Sequence, residues 1–362
     1  MSSLGQLVFT GLNGLSLSPE EKKFIETEDI GGVILFSKNY ESPAQLAELV
    51  NSIQAVRKEY PLFITTDHEG GRVMRFKTHF TQYPPMLDIA LLDSPKLLFD
   101  VASIMAQELK AVGLNLNLAP VCDIWNNEQN KVIWDRAFGK DPNTVSKFIS
   151  SVIRGFQTNH LMSCAKHFPG HGNTLKDSHY DLPIVKKSLA ELRAEEFIPF
   201  TKAIKSRVDF VMMAHLIVDA IDDQLPCSLS ANAHRILREE LKFKGAILSD
   251  DMQMKAISDH YGVEKAAVLA IKAGSDMIEY RDFDQAFMAM EGLKKAFKDK
   301  ELSLQDVALK NNCILNLKKK YLTEYSPVYI PDIEKKLSTK ESKKLIDEIQ
   351  KKILEKKSMT IS

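Results

Sequence analysis

The run Lys166-His167-Phe168-Pro169-Gly170-His171-Gly172-Asn173-Thr174-Leu175-Lys176-Asp177-Ser178-His179 gathers three histidines, two lysines and an aspartate around two glycines. Pro and Gly let the backbone leave a strand abruptly, and the residues that follow are too polar for a core and too weakly charged for a merely solvated face. Asp177 stands two residues before His179, so its carboxylate can fold back onto one ring nitrogen, fixing the tautomer and raising the basicity of the other. That pair reads as a proton-transfer dyad. Imidazoles and carboxylates also suit zinc or iron, but Phe168-Pro169-Gly170 prevents the helix that would place His167 and His171 on one face. No metal and no cofactor are expected.

Proton transfer needs a partner group, and Asp250 is the best candidate. It follows the apolar run Gly245-Ala246-Ile247-Leu248, so its carboxylate should emerge where a strand ends. Successive strand residues point to opposite sides, so Asp250 and Asp251 should do different jobs, one in the site and one capping or orienting nearby groups.

Eight short apolar runs precede stretches of helical periodicity: Gln6 to Leu12, Gly32 to Ser37, Leu62 to Thr66, Leu114 to Leu118, Met162 to His167, Phe210 to His215, Ala246 to Ser249 and Asp276 to Tyr280. Between them, helices are expected over Pro43 to Lys58, Pro95 to Val112, Thr144 to Thr158, Leu189 to Ser206, Ala231 to Leu241 and Val263 to Ala273. Repeated βα units of this number close into an α/β fold of the single (β/α)8, TIM-type barrel kind. A doubly wound sheet is the alternative, but no G-x-G-x-x-G fingerprint accompanies it. Asp67, Asp123, His167, His215, Asp250 and Glu279 then fall at or just beyond the C-terminal strand ends, the face on which such barrels carry their chemistry. Singly, each could be a cap or a turn former; together they mark a site.

The chain has 362 residues, with Lys plus Arg and Asp plus Glu balanced at 48 each. No global field favours nucleic acid or an anionic membrane, and a small polar or neutral ligand fits better. Cys122, Cys164, Cys227 and Cys313 are dispersed, which suggests neither a disulfide framework nor a thiolate zinc site. The N-terminal segment reads as a first strand rather than a signal peptide, so a cytoplasmic location is expected. The barrel is assigned to 1–322. The remainder, 323–362, is a linker with Pro327 and Pro331 followed by a Lys-rich amphipathic C-terminal helix. Its apolar face comprises Leu345, Ile346, Ile349, Ile353 and Leu354. Docking on the barrel exterior is expected first and self-association second, with membrane contact last because acidic residues accompany the lysines.

At this point the motifs carry a family resemblance. Lys166 to Gly172 with Asp177-Ser178-His179, preceded by Asp67-His68-Glu69-Gly70-Gly71-Arg72-Val73 and followed by Ser249-Asp250-Asp251-Met252, closely resembles family 3 glycoside hydrolases, within them the bacterial β-N-acetylglucosaminidases of peptidoglycan recycling. Leu118-Ala119-Pro120-Val121-Cys122-Asp123 and Arg136-Ala137-Phe138-Gly139 belong to the same ordered set, and the resemblance spans roughly Gly5 to Leu322. It implies a retaining exo-glycosidase in which Asp250 is the nucleophile, His179 the acid and later base, and Asp177 the residue that orients His179. It also implies that Asp67, Arg75, Arg136, Lys166 and His167 grip the sugar, and that the substrate is a small carbohydrate or muropeptide.

The bland reading of those five is a salt-bridge network between βα loops, and the two readings are compatible. His68 stands where the family more often has Gln or Val. Too little chain remains for the second domain of family 3 β-glucosidases, which disfavours their activity. Three other readings compete: a phosphorylase on the same scaffold, a metal-dependent hydrolase, and a sugar-binding protein without catalysis.

Overall fold

The computed structural model describes residues 3–172, 174, 182–323 and 325–361. Each of the eight apolar runs yields one strand: β1 (Val8–Thr10), β2 (Gly32–Ile34), β3 (Phe63–Thr65), β4 (Leu116–Asn117), β5 (Met162–Phe168), β6 (Phe210–Met213), β7 (Ala246–Asp251) and β8 (Met277–Tyr280). All are parallel, in the order β3-β2-β1-β8-β7-β6-β5-β4. The Asn115 and Leu118 amides donate to the Ile64 and Thr66 carbonyls at 3.1 and 3.0 Å, joining β4 to β3 across the seam. The sheet thus curls into the expected barrel.

Strands buried on both sides need continuous apolar sequence, which is why these segments read as runs rather than alternations. Inside the barrel, Phe9 stacks on Phe63 with ring centroids 6.0 Å apart, and Phe63 meets Phe210 edge-on at 5.3 Å.

Among the described residues, thirteen α-helices accompany the strands. The first five are α1 (Pro19–Glu28), α2 (Pro43–Ala55), α3 (Met86–Ala90), α4 (Pro95–Ala111) and α5 (Pro142–Thr158). Then come α6 (Leu189–Ala194), α7 (Phe197–Lys205), α8 (Ala231–Arg235), α9 (Lys255–Ser258), α10 (Val263–Ala273), α11 (Phe283–Lys298), α12 (Leu304–Tyr321) and α13 (Lys340–Ile361). Four of them begin with proline behind a capping side chain, Ser18, Ser42, Ser94 or Asp141, each of which accepts from a first-turn amide. Proline lacks only an N–H that a first turn leaves unused.

Two expected helices differ from their expectation. Leu189 to Ser206 breaks at Glu195 and Glu196 into α6 and α7, and Ala231 to Leu241 is α-helical only to Arg235, continuing as a π-turn over Ile236–Glu240. α1, α3, α9, α11 and α12 have no counterpart among the expected helices. α1 buries only Phe24 and Ile25 among its apolar residues, and α12 buries a lysine, so neither shows a strong apolar period. That lysine, Lys318, donates to Gln6 Oε1 at 2.8 Å, lies 5.1 Å from the Phe63 ring centre, and plugs the end where the strands begin.

The chain beyond the barrel lies along its outside. Val328 and Asn51 exchange two hydrogen bonds, and the Glu108 carboxylate, buried, accepts from the Ser338 amide, the Thr81 hydroxyl and the Tyr83 hydroxyl. On α13, Ile346, Ile349 and Ile353 are buried while Leu354 is 69% exposed, so the docked face is narrower than expected and excludes Leu354. No helix among the described residues is long and apolar enough to cross a membrane.

Candidate active site

At the C-terminal end of the strands a cavity of about 490 Å³ is lined by residues from the β2, β3, β4, β5, β6, β7 and β8 strand ends and loops, including Asp67, Arg136, Lys166, Asp250 and Glu279. Asp67 lies two residues beyond β3, in front of a short antiparallel ribbon of His68–Gly70 and Val73–Met74. The ribbon returns the chain so that Arg75 reaches Asp67, with Nη2 and Oδ2 2.7 Å apart.

Lys166, on β5 and 2% exposed, donates to Asp67 Oδ1 and to Glu69 Oε1, both at 2.7 Å. Glu69 also takes Arg136 in a two-pronged pair, Nε to Oε2 and Nη2 to Oε1, each at 2.8 Å. Planar forks matched in this way fix orientation as well as charge. Arg136 Nη2 lies 3.4 Å from His167 Nε2, and His167 Nδ1 lies 2.7 Å from Asp123 Oδ2. The carboxylate of Asp123 requires a proton on Nδ1, which leaves Nε2 as the acceptor facing Arg136.

The result is one continuous array of three cations (Arg75, Lys166, Arg136) and three carboxylates (Asp67, Glu69, Asp123), tied to His167. All five expected sugar-gripping residues, Asp67, Arg75, Arg136, Lys166 and His167, stand together in the cavity wall. They are also the salt-bridge network of the bland reading. Burial works against each charge, yet the neighbours prevail. Lys166 and Arg75 hold the Asp67 carboxyl well below the usual range, and Arg136 with Lys166 holds Glu69 at about 2. Neutral overall, the array presents fixed donors and acceptors to a polar, uncharged ligand.

The sequence places Asp123 among the strand-end residues without a partner, and gives Glu69, within the Asp67 to Val73 motif, no role of its own. Glu69 sits at the same parity as Asp67, and that i, i+2 spacing was the available signal. Asp123 also accepts the His171 amide at 2.7 Å, and His171 Nδ1 lies 2.8 Å from Thr174 Oγ1. Burial lowers His171 to about 4, so its imidazole is neutral. Gly172 is pressed so close to the loop after β4 that a Cβ there would lie 1.6 Å from the Ile124 carbonyl oxygen. Asn130 donates to the His171 and Gly172 carbonyls, fastening the same segment. Asp177 and His179, the expected dyad, lie outside the described residues. Among the described residues, no three His, Cys, Asp or Glu side chains come together as a metal-binding group.

Asp250 and Asp251, at the end of β7, both line the cavity. Asp250 Oδ1 accepts the Asp251 amide at 2.8 Å. Asp251 accepts the Gln253 amide and pairs with Arg281, organising the turn after β7; burial pushes it up to about 6 against the pull of Arg281. Beneath them His215, fully buried, lies 3.0 Å from the Asp251 carbonyl through Nε2 and 2.7 Å from Ser228 Oγ through Nδ1. The carbonyl can only accept, so Nε2 carries the proton and the serine hydroxyl donates to Nδ1. His215 therefore supports the acidic turn from below. His68, despite its place in the motif, is buried beside Phe76, Phe80 and Tyr83, with neither ring nitrogen hydrogen-bonded among the described residues.

Comparison with known proteins agrees with this arrangement. The model of the glycosyl hydrolase family 3 N terminal domain matches residues 2–317. A β-hexosaminidase of Nitrosomonas eutropha is 37% identical over 282 residues, 76% of this chain and 80% of that protein. One of Idiomarina loihiensis is 38% identical over 270 residues, 73% of this chain and 80% of its own. Among solved structures, a family 3 β-N-acetylglucosaminidase from Paenibacillus superposes with a TM-score of 0.89 at 35% identity, over 95% of this chain and 67% of that one. NagZ from Neisseria gonorrhoeae, solved with N-trifluoroacetyl-D-glucosamine, gives 0.78 at 29% identity over 95% and 96% of the two chains. With a family match over nearly the whole barrel and a cavity of paired cations and carboxylates at its C-terminal mouth, the chain belongs to glycosyl hydrolase family 3 and is a glycoside hydrolase.

Proposed function

We propose that the protein is a retaining exo-β-N-acetylglucosaminidase that removes terminal N-acetylglucosamine from peptidoglycan-derived muropeptides inside the cell. The observation that carries the reading is the two-sided cavity, with a neutral array of cations and carboxylates on one wall and Asp250 on the other. An uncharged pyranose offers hydroxyls that both donate and accept, which suits such a wall, and Phe36, Val73 and Met254 supply apolar surface for the ring. The names of the β-hexosaminidase relatives and the glucosamine derivative bound to the Neisseria protein support an N-acetylated sugar.

In this mechanism an Asp250 carboxylate oxygen attacks the anomeric carbon as the bond to the leaving oxygen breaks, and His179, oriented by Asp177, gives that oxygen its proton. Water then attacks the same carbon, His179 takes its proton, and the Asp250 carboxylate is released. Two inversions return the starting configuration. The roles of His179 and Asp177 rest on their spacing and on the family resemblance. Incubation with a slow fluorinated N-acetylglucosaminide, followed by peptide mass analysis, should find the sugar on Asp250; label on any other residue would refute the nucleophile assignment.

A further inference from the structure

Glu279 is a carboxyl of the cavity wall that the proposed mechanism leaves without a task. It projects from β8, is 3% exposed, and its Oε2 has no hydrogen-bond partner among the described residues. Its backbone is fixed, the amide donating to Ser249 Oγ and the carbonyl accepting the Met252 amide. Its neighbours across the barrel are Asp251, paired with it in register, Asp250, Asp67 and Lys166, with the Cys164 thiol also within its field. An unpaired buried carboxyl oxygen is costly unless something else satisfies it, and here the open side is the cavity itself.

We propose that Glu279 is a substrate-contacting residue, donating a hydrogen bond from its carboxyl O–H to a sugar oxygen close to the carbon that Asp250 attacks. The charge balance favours this state. Lys166 attracts the Glu279 carboxylate but is already shared between Asp67 and Glu69, so its pull on a further carboxylate is weakened. Burial, reinforced by Asp67, Asp251 and Asp250, keeps the Glu279 carboxyl protonated well above the usual range. A neutral acid here adds no repulsion to a nucleophile that must itself be negative. A carboxylate would add it and would lose the donor.

The inference rests on Asp250 being the nucleophile, and its test separates the two. Glu279→Gln keeps a donor that cannot ionise, whereas Glu279→Leu keeps the volume and removes the donor. The readout is kcat/KM against pH with a dinitrophenyl N-acetylglucosaminide, whose leaving group needs no proton from His179. For the unmodified enzyme this rate should fall on the alkaline side as Glu279 ionises. Glu279→Gln should lose that fall, and Glu279→Leu should lose about tenfold or more at neutral pH, the scale of one hydrogen bond to substrate. An alkaline fall unchanged in Glu279→Gln overturns the proposal, whether or not Glu279→Leu folds. So does a Glu279→Leu enzyme as active as the unmodified one. Trapping in the Glu279→Gln enzyme should still label Asp250. Failure of that label in the unmodified enzyme would instead count against the nucleophile assignment.

Discussion

Glu69 compensates two buried cations at once, since its Oε1 faces Lys166 and Arg136 and its Oε2 faces Arg136. Replacing Glu69 by Gln keeps the shape and removes the charge, leaving two nearly inaccessible cations short of a partner. Breaking one side of a buried ionic network costs about 3–5 kcal/mol. Urea unfolding at neutral pH should show a loss of this size, together with a raised KM because Arg136 and Lys166 are no longer held. A loss below about 1 kcal/mol, the scale of exposed pairs, would mean that water already screens the array. Acid should act in the same direction. Because Glu69 is held at about 2, below its ordinary value, its stabilisation is complete at neutral pH and is lost as pH falls through that lower interval. The thermal midpoint should therefore drop on acidification, and less steeply in Glu69→Gln.

At the scale of elements, the tail reinforces the loop that carries the ribbon. Glu108 of α4 collects hydrogen bonds from Thr81 and Tyr83, which follow the ribbon, and from Ser338, which precedes α13. Ser342 of α13 also meets the Thr81 hydroxyl at 3.1 Å. α13 itself is held by a three-isoleucine stripe and by Lys357 against Asp88, 2.7 Å apart. Ile349 is fully buried, so Ile349→Ala should cost about 2–5 kcal/mol, the price of a large-to-small core change. Leu354→Ala, one turn further along but 69% exposed, should stay within about 0.5 kcal/mol. Denaturant midpoints of the two variants would decide the matter, and equal losses would mean that Leu354 is covered by something in solution. The heptad-like spacing of the tail was legible in the sequence, but periodicity alone did not tell which flank of the stripe would meet the barrel.

Across the whole molecule, 48 basic and 48 acidic residues cancel, and the site's own array is balanced as well. A neutral aryl N-acetylglucosaminide is therefore not steered by a long-range field. Its kcat/KM should change less than about twofold between low and physiological ionic strength, where exposed electrostatics are screened within about 8–10 Å. A steep salt dependence would refute this balance, and a muropeptide compared in parallel should show a steeper dependence than the aryl substrate only if its charged peptide binds outside the sugar cavity. The same global view explains why the barrel was readable from sequence. Strand count and order follow from local apolar runs, and parallel strands closing on themselves leave their C-terminal ends on one face.

The sequence by itself determined which side chains stand at those ends. Asp67, Lys166, His167 and Asp250 could be named because each terminates an apolar run, and an apolar run is a local property. Only the tertiary structure decided their partners and their charge states. Lys166 meets Asp67 across 99 positions of chain, Glu69 becomes the centre of the array only once the ribbon turns, and the Glu279 carboxyl is pushed well above its usual range by burial and by Asp67, Asp251 and Asp250, which strands distant in sequence bring around it. Desolvation and Coulomb interaction depend on separation in space, and separation along the chain does not specify it.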